Sequence, residues 1–270
     1  MKKTNEQSIG ILAASYAVPA TVRTNGYWIE NAPTLVSAAE KHGLAQLWKR
    51  REAPTPNAFD RCMEPYLADP FRGAVERRIL GPSETGLTME VAATRRTLEV
   101  AGWTPADLDL VLVSSFLPDQ FGPGNAAYLV HALEANCPGI NIESACASTL
   151  VSINTAVALV QSGQYRNAMV VASCSYSRLS SPRDTLSWFI GDGAGALLIS
   201  PVAPGHGWVS SHCVNTAATC GTFRIDMVED PIEGTVPRLA ASKETARIIN
   251  ESGEPYMRGA SGFRVGARAC

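Results

Sequence analysis

The sequence INIESACASTL, residues 140–150, places Cys146 between two alanines where the residue pattern changes. Residues 139–142 have the composition of a short strand, and residues 147–162 form a largely apolar run of helical length. Cys146 is therefore predicted to lie at a strand-to-helix junction. What this thiol does at such a junction is the question on which the interpretation of the chain depends.

Two interpretations of Cys146 follow from the residues alone. At the start of a helix, free amide N–H groups and the helix dipole favour negative charge, and therefore a reactive thiolate. The amide of Cys146 itself could then face a developing oxyanion. Free cysteine is also among the most buried residue types, so Cys146 could be a small core residue. We interpret Cys174, in the middle of a predicted strand, as a core residue of that kind.

The segments around the junction predict a layered α/β fold. Residues 107–116 and 167–175 are continuous apolar runs of strand length, which is typical of strands buried on both faces. Residues 83–102 and 124–136 have helical periodicity, with Ser83 as a possible cap and Gly102 as the end of the first helix. Because strands and helices alternate, we predict a largely parallel sheet. The sequence GDGAGALLIS, residues 191–200, is interpreted as a glycine-rich turn that leads into a further strand.

Composition excludes several classes of function. The chain has 270 residues, 46% of them hydrophobic, and a formal net charge of −2, so no basic surface for nucleic acid is expected. The four histidines are scattered without metal-ligand spacing, and no metal is predicted. Seven cysteines without a disulfide framework favour a reducing compartment, and no apolar run is long enough to cross a bilayer. We expect a cytoplasmic protein that does not associate with membranes.

Several motifs in order resemble one family. ESACASTLVSINTAVALVQSGQYRNAMVVASCSYSR (143–178) and FIGDGAGALLIS (189–200) resemble the 3-oxoacyl-acyl-carrier-protein synthase III branch of the thiolase superfamily. That branch has its catalytic cysteine in a short ACA segment, followed by a strand and then by a GDGAGA segment. Residues 11–25, 72–85 and 101–115 resemble the upstream segments of the family more weakly. The resemblance implies a thiolase-like α/β fold.

The resemblance implies that Cys146 is the catalytic nucleophile. Cys146 would accept an acyl group from coenzyme A or acyl-carrier protein and condense it with a malonyl thioester, with loss of carbon dioxide, in fatty-acid or polyketide biosynthesis. Some relatives instead transfer the acyl group to an alcohol or an amine. A third possibility is a non-catalytic partner of a full-length homologue. We expect an acyltransferase without a cofactor, assembled as a homodimer.

The resemblance also suggests residues that bind substrate. Phe121 matches a loop that reaches across a dimer interface towards the partner's acyl pocket, although local packing is the alternative. Arg72 could bind phosphates of the coenzyme or an acidic carrier protein, or it could belong to a solvated charged face. Ser144 and Ala147 are small and leave room for a substrate beside the thiol. Gly193 is expected to allow close backbone packing.

The expected domain organisation is uneven. Residues 1–200 are predicted to form a complete thiolase-like half-domain, and residues 201–270 a connecting region with the truncated start of a C-terminal half. The family's second half supplies a histidine and an asparagine to the site. His206 and His212 do not lie in the family's setting for that histidine, so we assign no catalytic histidine. We expect the chain alone to be incomplete for condensation.

Overall fold

A computed structural model of the protein describes residues 8–48, 58–120, 122–180, 185–213, 223–230 and 234–241. The strands are β1 (Ile9–Ala17), β2 (Thr21–Thr24), β3 (Glu76–Ile79), β4 (Val111–Ser115), β5 (Gly139–Asn141), β6 (Ala168–Ser175), β7 (Asp192–Pro201), β8 (Phe223–Asp230) and β9 (Gly234–Ala241). The helices are α1 (Asn25–Asn31), α2 (Pro33–Trp48), α3 (Ala58–Met63), α4 (Gly86–Ala101), α5 (Asn125–Leu133) and α6 (Ser148–Gln161).

A five-stranded sheet of order β1-β7-β6-β4-β5 organises the fold, and β2 with β3 and β8 with β9 form separate pairs. The prediction of a largely parallel sheet is wrong in one respect. Strands β4, β5 and β6 are mutually parallel, but β7 is antiparallel to both of its neighbours. The physical reason is that the chain between Ser175 and Asp192 returns at the same end of the sheet, where these two residues are paired. A connection of this kind joins antiparallel strands, whereas parallel strands need a crossover.

Apolar cores cover both faces of this sheet. In β4, Val111 and Val113 pack on one face with α4 and α5, whereas Leu112 packs on the other face with α6. Strand β6 alternates in the same way, with Met169 on the first face and Val170 on the second. Burial on both faces explains why these strands are continuous apolar runs, and it confirms the predicted α/β layering.

Helix α4 is capped at both ends, although not at the residue that the sequence suggested. Thr85 is the N-cap, because its hydroxyl accepts a hydrogen bond from the amide of Thr88 at 3.2 Å, and the side chain of Thr88 bonds the amide of Thr85. Ser83 therefore lies outside the helix. Gly102 ends the helix as predicted, with a φ of 69° in the left-handed region that glycine adopts without strain.

Some of the predicted features fall on residues outside the described ranges. Phe121 lies outside them, as do residues 242–270, the last part of the range 201–270 that was predicted to be a connecting region with the start of a C-terminal half. Within the described parts of the chain, no helix is long and apolar enough to cross a membrane.

A buried carboxyl group anchors α4 to the sheet and to α5. Glu90 is fully buried, and its carboxyl accepts a hydrogen bond from the hydroxyl of Ser173 at 2.5 Å and from the amide of Asn125 at 3.0 Å. Asn125 in turn accepts from the amide of Asp119 at 3.0 Å. Burial raises the pKa of Glu90 above its ordinary value, although the bonds from Ser173 and Asn125 oppose the shift.

This shift makes the stability of the protein depend on pH through Glu90. The folded protein holds this proton more tightly than the unfolded chain does. The stabilisation is therefore complete below the ordinary pKa of 4.5 and is lost as the pH rises through the raised folded value. We expect the free energy of unfolding, measured by denaturant titration, to fall more steeply with rising pH above the ordinary value of 4.5 in the wild type than in Glu90→Gln.

The control is Glu99→Gln, on an exposed position of the same helix. This variant keeps Glu90 in place, and it should retain the steeper fall of the wild type. Parallel pH profiles for the wild type and Glu90→Gln would contradict the assignment of this titration to Glu90.

Candidate active site

Cys146 lies in a single 3₁₀ turn, Ala145–Ala147, between the end of β5 and the start of α6. The predicted strand-to-helix junction is therefore confirmed, with the strand ending at Asn141 and the regular helix beginning at Ser148. The side chain of Cys146 is exposed and forms no disulfide bond. This position contradicts the alternative in which Cys146 is a small buried core residue.

The turn that presents Cys146 is held in an uncommon backbone conformation. Ala145 has a φ of 48°, in the left-handed region that residues with a Cβ adopt only at a cost. Ser148 stabilises this conformation, because its hydroxyl accepts from the amide of Ser144 at 2.6 Å and donates to the carbonyl of Ala145 at 2.7 Å. The carboxylate of Glu143 accepts from the amide of Ala145 at 2.5 Å. Strain that local contacts maintain in this way is typical of functional sites.

Cys146 faces a cavity of about 310 Å³. The cavity lies between the start of α6 and the adjacent ends of β4, β6 and β7, and its volume is at the small end of the range for ligand sites. Its lining residues are Ser114, Phe116, Ala145, Cys146, Ser148, Thr149, Ala172, Ser173, Cys174, Tyr176, Gly193, Ala194 and Gly195.

Gly193 contributes to the cavity from a strand and not from a turn. The glycine-rich segment that we predicted as a turn forms the beginning of β7, with Gly193 paired to Cys174 of β6. The prediction was wrong because β7, which lies between β1 and β6, already begins at Asp192, where its pairing with β6 starts. A Cβ atom at Gly193 would lie 3.2 Å from the carbonyl oxygen of Ala17, so the expected close packing is present.

Asp192 has a structural role at the start of β7. Its buried carboxylate accepts hydrogen bonds from the amide of Leu80 at 2.7 Å and from the amide of Ser177 at 2.8 Å. The hydroxyl of Ser177 donates to the same carboxylate. These bonds hold the segment after β6 beside the start of β7, next to the cavity.

Tyr176 and Thr149 are among the cavity residues that sequence analysis missed, and Cys174 was misinterpreted. Tyr176 follows the end of β6, and Thr149 is three residues after Cys146 on the same side of the helix start. Their positions after a strand and at helical spacing were the available signals. Cys174 is not a core residue, because it is only partly buried and lines the cavity. Burial and the charge of Asp192 raise the pKa of the Cys174 thiol.

The other described residues that were predicted to bind substrate do not line the cavity. Ser144 and Ala147 flank the cysteine along the turn but are not among the residues that line the cavity. Arg72 does not line it either, and its guanidinium donates to the carbonyls of Tyr66 and Leu67. A role of Arg72 in binding a donor therefore stays a prediction, as does the role of Phe121.

A second arginine of residues 72–85 is used inside the protein. Arg77 is buried, lies 4.8 Å from the ring centre of Trp28, and donates to the carbonyl of Trp188 and to Asn25. It is therefore committed to packing and not to a substrate phosphate. Among the described residues, no cluster of three or more histidine, cysteine, aspartate or glutamate side chains is arranged to hold a metal ion.

Sequence comparison matches part of the chain to one protein family and finds several relatives. Residues 140–217 match the family 3-oxoacyl-[acyl-carrier-protein (ACP)] synthase III. A β-ketoacyl-[acyl-carrier-protein] synthase III of Sphingopyxis alaskensis is 32% identical over 154 residues, which are 56% of this chain and 48% of that protein. The enzyme of the same name from Streptomyces lividans is 39% identical over 131 residues, 48% of this chain and 39% of that protein. The chain thus spans about half the length of the curated relatives it matches.

Comparison of structures identifies the fold. The priming β-ketosynthase of the R1128 polyketide biosynthetic pathway aligns with 96% of this chain and 71% of its own, at a TM-score of 0.70 and 26% identity. The 3-oxoacyl-[acyl-carrier-protein] synthase III of Thermus thermophilus aligns with 93% of this chain and 72% of its own, at a TM-score of 0.65 and 20% identity. The fold is therefore the thiolase-like layered α/β fold that the motifs implied.

The two glycines of β7 that line the cavity make a matched test of its packing. We expect Gly193→Ala to lower the free energy of unfolding by about 1 kcal/mol, because the added methyl group crowds the carbonyl of Ala17. Gly195→Ala should be neutral or slightly stabilising, because its methyl group would come no closer than 3.9 Å to the nearest oxygen, that of Ser15. Denaturant unfolding of both variants measures the difference, and equal effects would show that Gly193 is not needed for this close approach.

Proposed function

We propose that this chain, whose residues 140–217 match the 3-oxoacyl-[acyl-carrier-protein] synthase III family, is an acyl-thioester condensing enzyme of that branch of the thiolase superfamily. In this proposal Cys146 accepts an acyl group from a thioester donor, and the acyl group is then condensed with a malonyl thioester. The products would serve fatty-acid or polyketide biosynthesis. The relatives and the solved structures named above support this assignment by their own names.

The observation that carries the proposal is the presentation of Cys146. The thiol is exposed on a strained turn beside a cavity, and small residues on both sides give a thioester room to approach. In the loading step the sulfur of Cys146 attacks the thioester carbonyl carbon, and the bond from that carbon to the donor sulfur breaks. The donor thiol leaves with the proton that Cys146 loses, so the step balances without any oxidant or cofactor.

The thioester donor and the residues around the thiol of Cys146 can also be proposed. We propose coenzyme A or acyl-carrier protein as the donor, with Arg72 as a candidate contact to phosphates or to an acidic carrier. Gly193, Ser144 and Ala147 would shape the approach to the thiol. We propose a cytoplasmic location, because a reducing compartment keeps a nucleophilic cysteine in its free thiol form. We further propose that residues 1–200 form the half-domain that carries Cys146, and that residues 201–270 form a connecting region.

Loading of Cys146 can be measured directly by intact-protein mass spectrometry. After incubation with acetyl-, butyryl- and longer acyl-coenzyme A, and with matching acyl-carrier proteins, we expect one covalent acyl adduct per chain. The adduct should be absent from Cys146→Ala and should persist in Cys62→Ala, which removes another exposed cysteine. Lack of an adduct in a folded wild-type sample, or an adduct that survives Cys146→Ala, would contradict the proposal.

The second substrate separates the proposed reaction from its alternatives. Release of carbon dioxide from a malonyl thioester, dependent on the acyl-enzyme, would identify condensation. Transfer of the acyl group to an alcohol or an amine without carbon dioxide release would identify the acyltransferase alternative. A folded protein that is never acylated but binds a full-length homologue tightly would identify a non-catalytic partner.

We also propose a homodimer, in which the loop carrying Phe121 contributes to the partner's pocket. Sedimentation equilibrium at micromolar concentration should then give twice the mass of one chain. Phe121→Ala should change the relative rates of loading with short and long acyl groups. A monomer at all concentrations tested would contradict this part of the proposal without affecting the role of Cys146.

A further inference from the structure

Two residues that line the cavity beside Cys146 have hydroxyl groups with no hydrogen-bond partner among the described residues. They are Thr149, in the first turn of α6, and Tyr176, immediately after β6. The other hydroxyls of the cavity are already used. Ser114 bonds Ser152 at 2.7 Å, and Ser148 bonds the turn that carries Cys146.

Thr149 differs from three other helical threonines of this protein. Thr94, Thr97 and Thr155 each donate to the carbonyl four residues earlier, at 2.8 or 2.9 Å. For Thr149 that carbonyl would be the one of Ala145, which instead accepts from Ser148. The hydroxyl of Thr149 is therefore left without a partner among the described residues, on a residue that lines the cavity.

Tyr176 is held with its ring against Phe116. The two ring centres are 5.3 Å apart and the planes are inclined by 52°. Burial, together with the nearby thiols of Cys146 and Cys174, raises the pKa of the Tyr176 phenol to about 12. The phenol therefore stays protonated near neutral pH, and it can donate a hydrogen bond but cannot act as a base there.

We propose that Tyr176 and Thr149 bind an oxygen substituent on the acyl group carried by Cys146, so that the preferred donor is a short hydroxyacyl thioester. This inference rests on the proposed function, and it names the substrate class of that same site. The cavity of about 310 Å³ suits a short chain. An unsubstituted acyl group would displace water from both hydroxyls without replacing its hydrogen bonds.

The substituent takes no part in the covalent step. The sulfur of Cys146 still attacks the thioester carbonyl, and the donor thiol still leaves. The phenol of Tyr176 would donate to the substituent oxygen, and Thr149 could donate to it or accept from its hydroxyl hydrogen. Both groups therefore determine specificity, and the nucleophile is unchanged.

The test compares two donors of matched length, 3-hydroxybutyryl-coenzyme A and butyryl-coenzyme A, by the rate at which each acylates Cys146. We expect the hydroxylated donor to load about tenfold faster in the wild type, as one or two new hydrogen bonds predict. Tyr176→Phe keeps the ring but removes the donor, and it should bring the ratio of the two rates close to one. Thr149→Val should lower the ratio less, because it removes the second contact only.

Tyr128→Phe is the matched control, because Tyr128 is on α5, is 40% exposed, and does not line the cavity. It should leave the ratio at the wild-type value. Equal rates for both donors in the wild type, or a ratio that Tyr176→Phe does not lower, would overturn this inference while leaving acyl loading on Cys146 established. Failure of both donors, together with every other acyl thioester tested above, would overturn the proposed function and the inference with it.

Discussion

The antiparallel pairing of β6 with β7 is the constraint on which the candidate site depends. It places the first residues of β7 beside the last residues of β6, with Gly193 opposite Cys174. The parallel strands β4 and β5 end at the same edge of the sheet, where the chain then turns into α6. The turn with Cys146 and the open space beside it therefore meet at one edge. Had β7 been a parallel strand, its glycine-rich start would lie at the opposite edge of the sheet.

The turn and the sheet are stabilised by different physical means. On the α6 face, Ser148 maintains the left-handed conformation of Ala145 through two short hydrogen bonds. On the opposite face, the buried carboxyl of Glu90 ties α4 to Ser173 and to Asn125. Ser173 also lines the cavity, so the polar network behind the sheet supports the wall of the site. A small cavity with fixed walls can discriminate among acyl groups only if its polar atoms stay in place.

Much of the local structure followed from the residues. The apolar runs at 107–116 and 167–175 predicted buried strands because both faces of the sheet are covered, and Gly102 ended its helix because only glycine adopts that conformation freely. The segment at Gly193 was misread because glycine favours both turns and close strand packing. Cys174 was misread because sequence pattern does not indicate that a strand residue faces a cavity.

The sequence by itself determined the α/β layering, the strand-to-helix junction at Cys146 and the resemblance from which the chemistry was proposed. These features depend on local periodicity and on short motifs, which are contiguous in the chain. Only the tertiary structure decided the direction of β7, the exposure of Cys146 and the positions of Thr149 and Tyr176 beside it. Thr149 and Tyr176 are on different elements, and no sequence periodicity links them, because they are brought to the same cavity only by the packing of the fold.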